Sequence, residues 1–187
     1  MLSIRSFLAL PTSEQTKASI SLLQSKLRES EAEVRWESSD KFHITLKFLG
    51  NVEPPIIDSL VSQLQVLLKN VSSLKTIYNT IGGFPSVDRP RVIWIGAEQN
   101  EFLMKLQENI ESVCTELGFD KEDRVFHPHI TLGRVKGNRK LSRLTETVKS
   151  LTFEPIQALC SEVLLIKSDL KPSGSVYTTL KSFPLQA

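Results

Sequence analysis

The sequence predicts an α+β fold rich in antiparallel pairing and built as two related lobes. Three observations carry this. Strand-like and helix-like segments are mixed, yet several strands follow one another directly, which a strictly alternating parallel sheet would not give. The tetrapeptide His-Ile-Thr-Leu occurs twice, at 43–46 and at 129–132, and each copy follows a helical segment by a similar interval. A separation of 86 residues, seen once, is too long for a solenoid and suits a pair of lobes. Finally, 187 residues that are 40% hydrophobic and 24% charged suit one compact domain or two small lobes sharing an interface, and not two large cores.

Ile4–Leu10 reads as a short buried strand. Pro11-Thr12-Ser13-Glu14 then starts a helix that carries Ile20, Leu23 and Leu27 on one stripe. Val34 and Trp36 alternate in an extended piece, and Lys41–Leu49 is a strand stopped by Gly50. Pro54 and Pro55 open a second helix, with Ile57, Leu60, Leu64 and Leu67 at spacings of three and four. Strands Leu74–Ile81 and Arg91–Ala97 flank a turn at Gly82-Gly83-Phe84-Pro85. Asn100 caps a third helix bearing Phe102, Leu106, Ile110, Val113 and Leu117, and Gly118 ends it. The strand Pro128–Val135 comes next, then a helix near Leu141–Leu151. Strands near Thr152–Ala158, Val163–Ser168 and Val176–Lys181 complete the chain, the last reached through a turn at Pro172-Ser173-Gly174.

Composition excludes several functions. Lys plus Arg (23) barely exceeds Asp plus Glu (21), so an anionic partner must be met by a local patch and not by a whole-molecule field. The longest apolar runs fall short of the ~18 residues of a membrane span, and the N-terminus lacks the pattern of a leader peptide. Cys114 and Cys160 have no metal-ligand spacing and read as reduced, buried thiols. Together these predict a cytoplasmic protein.

The repeated tetrapeptide carries the chemistry. Side chains at i and i+2 of a strand share a face, so His43 with Thr45, and His129 with Thr131, each present an imidazole and a hydroxyl on one side. Ile44 and Leu46, and their copies Ile130 and Leu132, anchor the other side. If the lobes pack about a pseudo-twofold axis, two imidazoles and two hydroxyls converge on one cleft. Hydroxyls donate to the non-bridging oxygens of a phosphate, and imidazoles exchange protons with its entering and leaving oxygens. An ordinary histidine pKa near ~6.5 lets one ring be neutral while the other is charged. The chain has three histidines and two of them occupy equivalent positions. A zinc site built from His43, His127 and His129 is the rival reading. It gives the threonines no part, and His127 has Lys41 as its counterpart, so His127 is read as a rim residue.

Neighbouring residues extend the anionic site. Arg134 lies five residues after His129, and a bulge at Gly133 would turn its guanidinium toward the cleft. Lys136, Arg139, Lys140 and Arg143 continue a basic edge that suits a nucleic-acid end. By simple alternation Lys47 shares the His43 face. Phe84 is read as packing or as a stacking surface for a base.

These residues resemble the two-histidine phosphoesterases, and within them the bacterial and archaeal RNA 2′,3′-cyclic phosphodiesterases once called 2′-5′ RNA ligases. The resemblance runs through Arg5–Pro11, Trp36, His43–Gly50, Gly82–Pro85, Phe126–Arg134, Tyr177 and Phe183–Leu185. It implies one two-lobed domain over residues 1–187, with two pseudo-symmetric antiparallel-rich sheets, helices on their outer faces and a central water-filled cleft. It further implies hydrolysis of RNA or nucleotide 2′,3′-cyclic phosphate ends to a 2′-phosphate with no cofactor or metal, the alternatives being 2′-5′ RNA end joining and a non-catalytic module that binds RNA ends. One two-lobed unit suffices as a monomer, and no membrane partner is expected. On this chain the catalytic pair becomes His43 and His129, with Thr45, Thr131 and Arg134 as substrate-binding residues. His129 is assigned as base on water and His43 as acid to the leaving 3′-oxygen, the swap being chemically equivalent by the symmetry of the motif.

Overall fold

The computed structural model describes residues 3–172 and 174–187. Among these, strands β1 (Ile4–Pro11), β2 (Val34–Trp36), β3 (His43–Val52), β4 (Leu74–Phe84), β5 (Val92–Ala97), β6 (His129–Val135), β7 (Ile156–Cys160), β8 (Glu162–Lys171) and β9 (Gly174–Pro184) form one sheet. Its order is β7-β4-β5-β6-β3-β1-β8-β9, with β2 paired to β6. The pairings between these strands are antiparallel throughout. The predicted α+β class and antiparallel character therefore hold. The two expected sheets are halves of this one, joined where β3 meets β6 at the single register pair Ile44↔Ile130.

Helices α1 (Glu14–Arg28), α2 (Pro54–Leu68), α3 (Glu101–Glu116) and α4 (Leu141–Ser150) accompany the sheet. Two of them begin where capping chemistry places them. The Ser13 side chain accepts from the Thr16 amide at 3.1 Å, and Asn100 does the same for Leu103 at 2.9 Å. Gly118 takes φ +87° just past α3, a conformation that favours glycine. The helices bury Ile20 and Leu27, Leu60 and Leu64, Ile110 and Leu144 in one large core with Leu8, Leu10, Ile44, Leu46, Ile130 and Leu132 of the sheet. All four therefore cover one face. Fully burying a leucine stabilises by about 2 kcal/mol, so a Leu60→Ala change is expected to cost about 2–5 kcal/mol. On the uncovered face, among the described residues, a small cluster forms: Phe7, Ala9 and Ile166 with Leu164 and Tyr177.

Local structure departs from the sequence pattern in several places. The strand expected near Thr152–Ala158 is Ile156–Cys160, and Lys41 belongs to a 3-10 turn ahead of β3. β3 runs past Gly50, which adopts φ +69° within the strand at a register shift opposite Ser6 and Phe7. β4 continues through Gly82 and Gly83, which pair with Trp94 and Ile93 instead of forming a turn. A Cβ on Gly82 would lie 2.3 Å from the Trp94 indole, so glycine here makes room for a side chain and not for a bend. The buried stripe of α3 is Leu103, Leu106, Ile110 and Cys114, and Phe102 is exposed. In α2 it is Leu68 rather than Leu67 that is fully buried. The turn expected at Pro172-Ser173-Gly174 centres on Ser173, outside the described residues. Cys114 and Cys160 are buried free thiols. Among the described residues no helix is long and apolar enough to cross a membrane.

Candidate functional site

His43 opens β3 and His129 opens β6. With Ile44 opposite Ile130 in an antiparallel pair, His43 falls opposite Thr131 and Thr45 opposite His129. Ile44, Leu46, Ile130 and Leu132 are sunk in the helix-side core, which turns these four residues onto the uncovered face. The imidazoles take opposite corners of a small square and the hydroxyls take the other two. The diagonal of a regular antiparallel pair spans about 7–8 Å, room for one phosphate. The four motif residues predicted from sequence are thus brought together about a local twofold axis through the Ile44–Ile130 seam.

Each ring is oriented by the backbone two residues upstream. The His127 carbonyl lies 2.6 Å from His129 Nδ1. A carbonyl only accepts, so Nδ1 carries the proton and Nε2 is left as the acceptor. For His43 the backbone hydrogen bond comes from Lys41. Aromatic rings press on both imidazoles. Phe7 stacks on His43 at 5.0 Å and Tyr177 meets it edge-on at 5.6 Å. Phe84 meets His129 edge-on at 5.0 Å, with Trp94 at 6.1 Å.

Burial dominates the electrostatics. Desolvation pulls the His43 pKa down to about 4, against the opposing hydrogen bond to Lys41, and the His129 charge lowers it further. His129 is also lowered, again chiefly by burial, then by the charges of His127 and Arg134. Both rings are therefore neutral in the free site at neutral pH. A bound anion between them favours the charged form of either.

A bulge decides which further residues reach the site. The β1–β3 register shifts between Leu8↔Lys47 and Ala9↔Thr45, and the β5–β6 register shifts between Ile93↔Gly133 and Trp94↔Thr131. Each motif is thus succeeded by the same irregularity, at Leu46-Lys47 and at Leu132-Gly133, which slips the side-chain alternation by one. Arg134 consequently lies on the cleft face, as expected, with Nε 3.5 Å from Glu37 Oε1. Lys47 does not: simple alternation fails at the bulge, and its ammonium is buried on the helix side. There it donates to Glu111 at 2.7 Å and to the Asp120 carbonyl at 2.6 Å. The position equivalent to Arg134 is Phe48, exposed and 6.1 Å from Phe7.

Other predicted residues lie around this centre. His127 is exposed and packs edge-on against Trp94 at 4.7 Å and Phe84 at 5.4 Å. Among the described residues no three His, Cys, Asp or Glu side chains gather as metal ligands. The basic edge is partly neutralised, since Lys140 pairs with Glu31 and Arg143 lies 3.9 Å from the same carboxylate. A cavity of ≈ 520 Å³ adjoins His43, lined by Lys17, Lys41, Leu164, Tyr177 and Thr179 among others. Lys41 Nζ lies 5.9 Å over the Tyr177 ring. Sequence reading missed Phe7, Phe48 and Glu37 as part of this site. Phe7 lay inside a strand that reads as uniformly apolar, and only knowledge of the covered face separates it from Leu8.

Comparison with known proteins supplies the family. Residues 25–172 match the 2'-5' RNA ligase superfamily. The chain is 30% identical over 185 residues to an RNA 2',3'-cyclic phosphodiesterase of Methanothermobacter thermautotrophicus, covering 98% of this chain and 100% of that one. It is 32% identical over 183 residues to a protein of the same name from Methanocaldococcus jannaschii, covering 96% and 100%. Among solved structures, a protein of Thermus thermophilus superposes with a TM-score of 0.81 at 26% identity, over 97% of this chain and 98% of that one. E. coli LigT complexed with 3'-AMP superposes at 0.78 and 25% identity, over 99% of each chain.

Proposed function

Because the chain belongs to the 2'-5' RNA ligase superfamily, we propose that it is a hydrolase that opens RNA or nucleotide 2′,3′-cyclic phosphates by metal-independent acid–base catalysis between two histidines. The observation that carries this reading is the antiparallel pairing of the two His-x-Thr strands at Ile44↔Ile130, which puts the two imidazoles at diagonal positions of one pair. The products are a 2′-phosphate and a free 3′-hydroxyl. One chain of 187 residues carries both motifs, so the reading calls for a single two-lobed domain acting as a monomer. The two buried free thiols suit a cytoplasmic setting.

The mechanism is set by the corners of the square. Thr45 and Thr131 donate to the non-bridging oxygens, and Arg134, steadied by Glu37, supplies charge to the same phosphate. His129 Nε2 takes a proton from water as the water oxygen bonds to phosphorus. On the opposite side the P–O3′ bond breaks, and His43 delivers its proton to O3′. The nucleoside must stay on the side of the leaving oxygen. That side is favoured by the ≈ 520 Å³ cavity that adjoins His43. Because burial disfavours charge on His43, its proton arrives with the anion and is readily given up.

The test is product analysis on a labelled oligonucleotide ending in a 2′,3′-cyclic phosphate. The expected product is the 2′-phosphate, at a rate unchanged by exhaustive chelation. The kcat/KM profile is expected to be a bell with both limbs displaced below the ordinary histidine value of ~6.5, because burial lowers both rings in the free enzyme. Binding without turnover, or joined ends as the main product, would overturn the reading.

A further inference from the structure

Strand β2 is only three residues long, yet it adds a second guanidinium to the cleft. Val34 and Trp36 pack against the helix-side core. Between them Gly133 leaves no room for a side chain, since a Cβ there would lie 2.7 Å from Val34 Cγ1 and 2.8 Å from Trp36 Cε3. With its two neighbours turned inward, Arg35 projects onto the opposite face, the one that carries the histidines. Its register partner on β6 is Arg134. Like charges directly opposite each other on neighbouring strands are unfavourable. Glu37 lies at 3.5 Å from Arg134 Nε, but among the described residues no carboxylate lies within ion-pair distance of Arg35. Two cations facing one anion leave a positive charge that a substrate can meet.

The same groups converge at the cleft mouth from the other half of the sheet. Burial raises the pKa of the Tyr177 hydroxyl and the Glu37 charge raises it further, while Arg134 and Arg35 both pull it back. Tyr177 belongs to β9 and contacts His43, so the arginine pair faces the His43 wall across the groove. A cyclic phosphate held at the seam uses the histidines, the threonines and Arg134. Arg35 sits one strand over from Arg134, on the edge of β6 that also pairs with β3.

We infer that Arg35 forms a second anion subsite, which takes the phosphodiester on the 5′ side of the terminal cyclic nucleotide and selects RNA chain ends over free cyclic mononucleotides. This rests on the hydrolase reading above. A mononucleoside 2′,3′-cyclic phosphate offers one phosphate; a chain end offers a second, one nucleotide away. The two strands present one guanidinium for each.

The experiment compares kcat/KM for a mononucleoside 2′,3′-cyclic phosphate with that for a dinucleotide ending in the same nucleoside 2′,3′-cyclic phosphate. Wild type is expected to prefer the dinucleotide. Arg35→Gln is expected to lower the ratio of the two constants by about ten- to a hundredfold, the loss of one charge-assisted contact. Arg35→Lys retains part of the ratio, because the charge survives without the planar fork. The log–log salt slope for the dinucleotide should fall by about 0.7 in Arg35→Gln. An unchanged ratio in a folded Arg35→Gln protein overturns the Arg35 subsite and leaves the hydrolase reading intact. Wild type that cleaves neither compound overturns the hydrolase reading, and this inference falls with it.

Discussion

The half of the sheet that carries His43 and the half that carries His129 share a tetrapeptide, a backbone hydrogen bond to the histidine ring and a bulge after the motif. They differ in the residues at the bulge and directly after it: Lys47 and Phe48 in one, Gly133 and Arg134 in the other. Around the histidines the walls differ too, Phe7 and Tyr177 against Phe84 and Trp94. The shared features are those that the proposed proton exchange on both sides of phosphorus would require. On the proposed reading the divergent ones are left for the rest of the ligand, which has no twofold symmetry. Symmetry in the reacting groups and asymmetry in the walls together give one cleft a direction.

The sharpest way to break this comparison is to remove one imidazole at a time. His43→Ala and His129→Ala are each expected to lower kcat by about 10²–10⁴-fold, the usual contribution of a positioned acid or base. If one variant lost activity and the other kept it, the two halves would not be catalytic equivalents. Both variants should keep a cooperative thermal transition, since neither ring anchors the helix-side core.

The two bulges offer a second contrast, in stability. Lys47 and Glu111 are 3% and 12% exposed, and the Lys47 ammonium also donates to the Asp120 carbonyl. Lys47→Met strands the Glu111 carboxylate and is expected to cost about 3–5 kcal/mol in denaturant unfolding. Removing both charges, as Lys47→Met with Glu111→Leu, should recover much of that loss. On the other side Gly133→Ala places a methyl against Val34 and Trp36, with an expected cost of about 1–3 kcal/mol. Because that shift also moves Arg134, kcat/KM should fall as well, whereas Lys47→Met acts mainly on stability. Equal effects of the two substitutions on catalysis would show that the bulges do not differ in role.

Most of the architecture was legible because local chemistry and tertiary packing agree. Ser13, Asn100 and Gly118 cap and end helices as their side chains and backbone allow, and the His-x-Thr alternation faces the cleft because Ile44 and Ile130 are core residues. The features that could not be read depend on long-range contacts. Gly82 and Gly83 resemble a turn, and only the indole of Trp94 lying over Gly82 explains why they sit in a strand. Lys47 resembles a cleft residue until the strand slips its alternation one position earlier. Gly133 announced its bulge by its missing side chain, but nothing in Leu46-Lys47 announces the matching one. Glu37 and Arg35 join the site through the pairing of β2 with β6, which a three-residue strand does not signal.

The smallest effect concerns protons in the unliganded protein. His43 binds a proton with an ordinary pKa near ~6.5 when unfolded and near about 4 when folded, so the unfolded chain holds more protons between these values. Stability therefore rises with pH across that window and is lost as pH falls through it. Between pH ~7 and ~5.5 the loss from this one ring is about 1 kcal/mol, a shift of a few degrees in Tm for a protein of this size. His129 contributes a loss of the same sign. A His43→Asn variant should flatten the pH dependence of Tm in this window relative to wild type, and more than His129→Asn does, because the deeper desolvation belongs to His43. A wild-type Tm that held constant from pH ~7 to ~5, or equal flattening by the two variants, would mean that the rings are equally wet and that the walls around them do not set the halves apart.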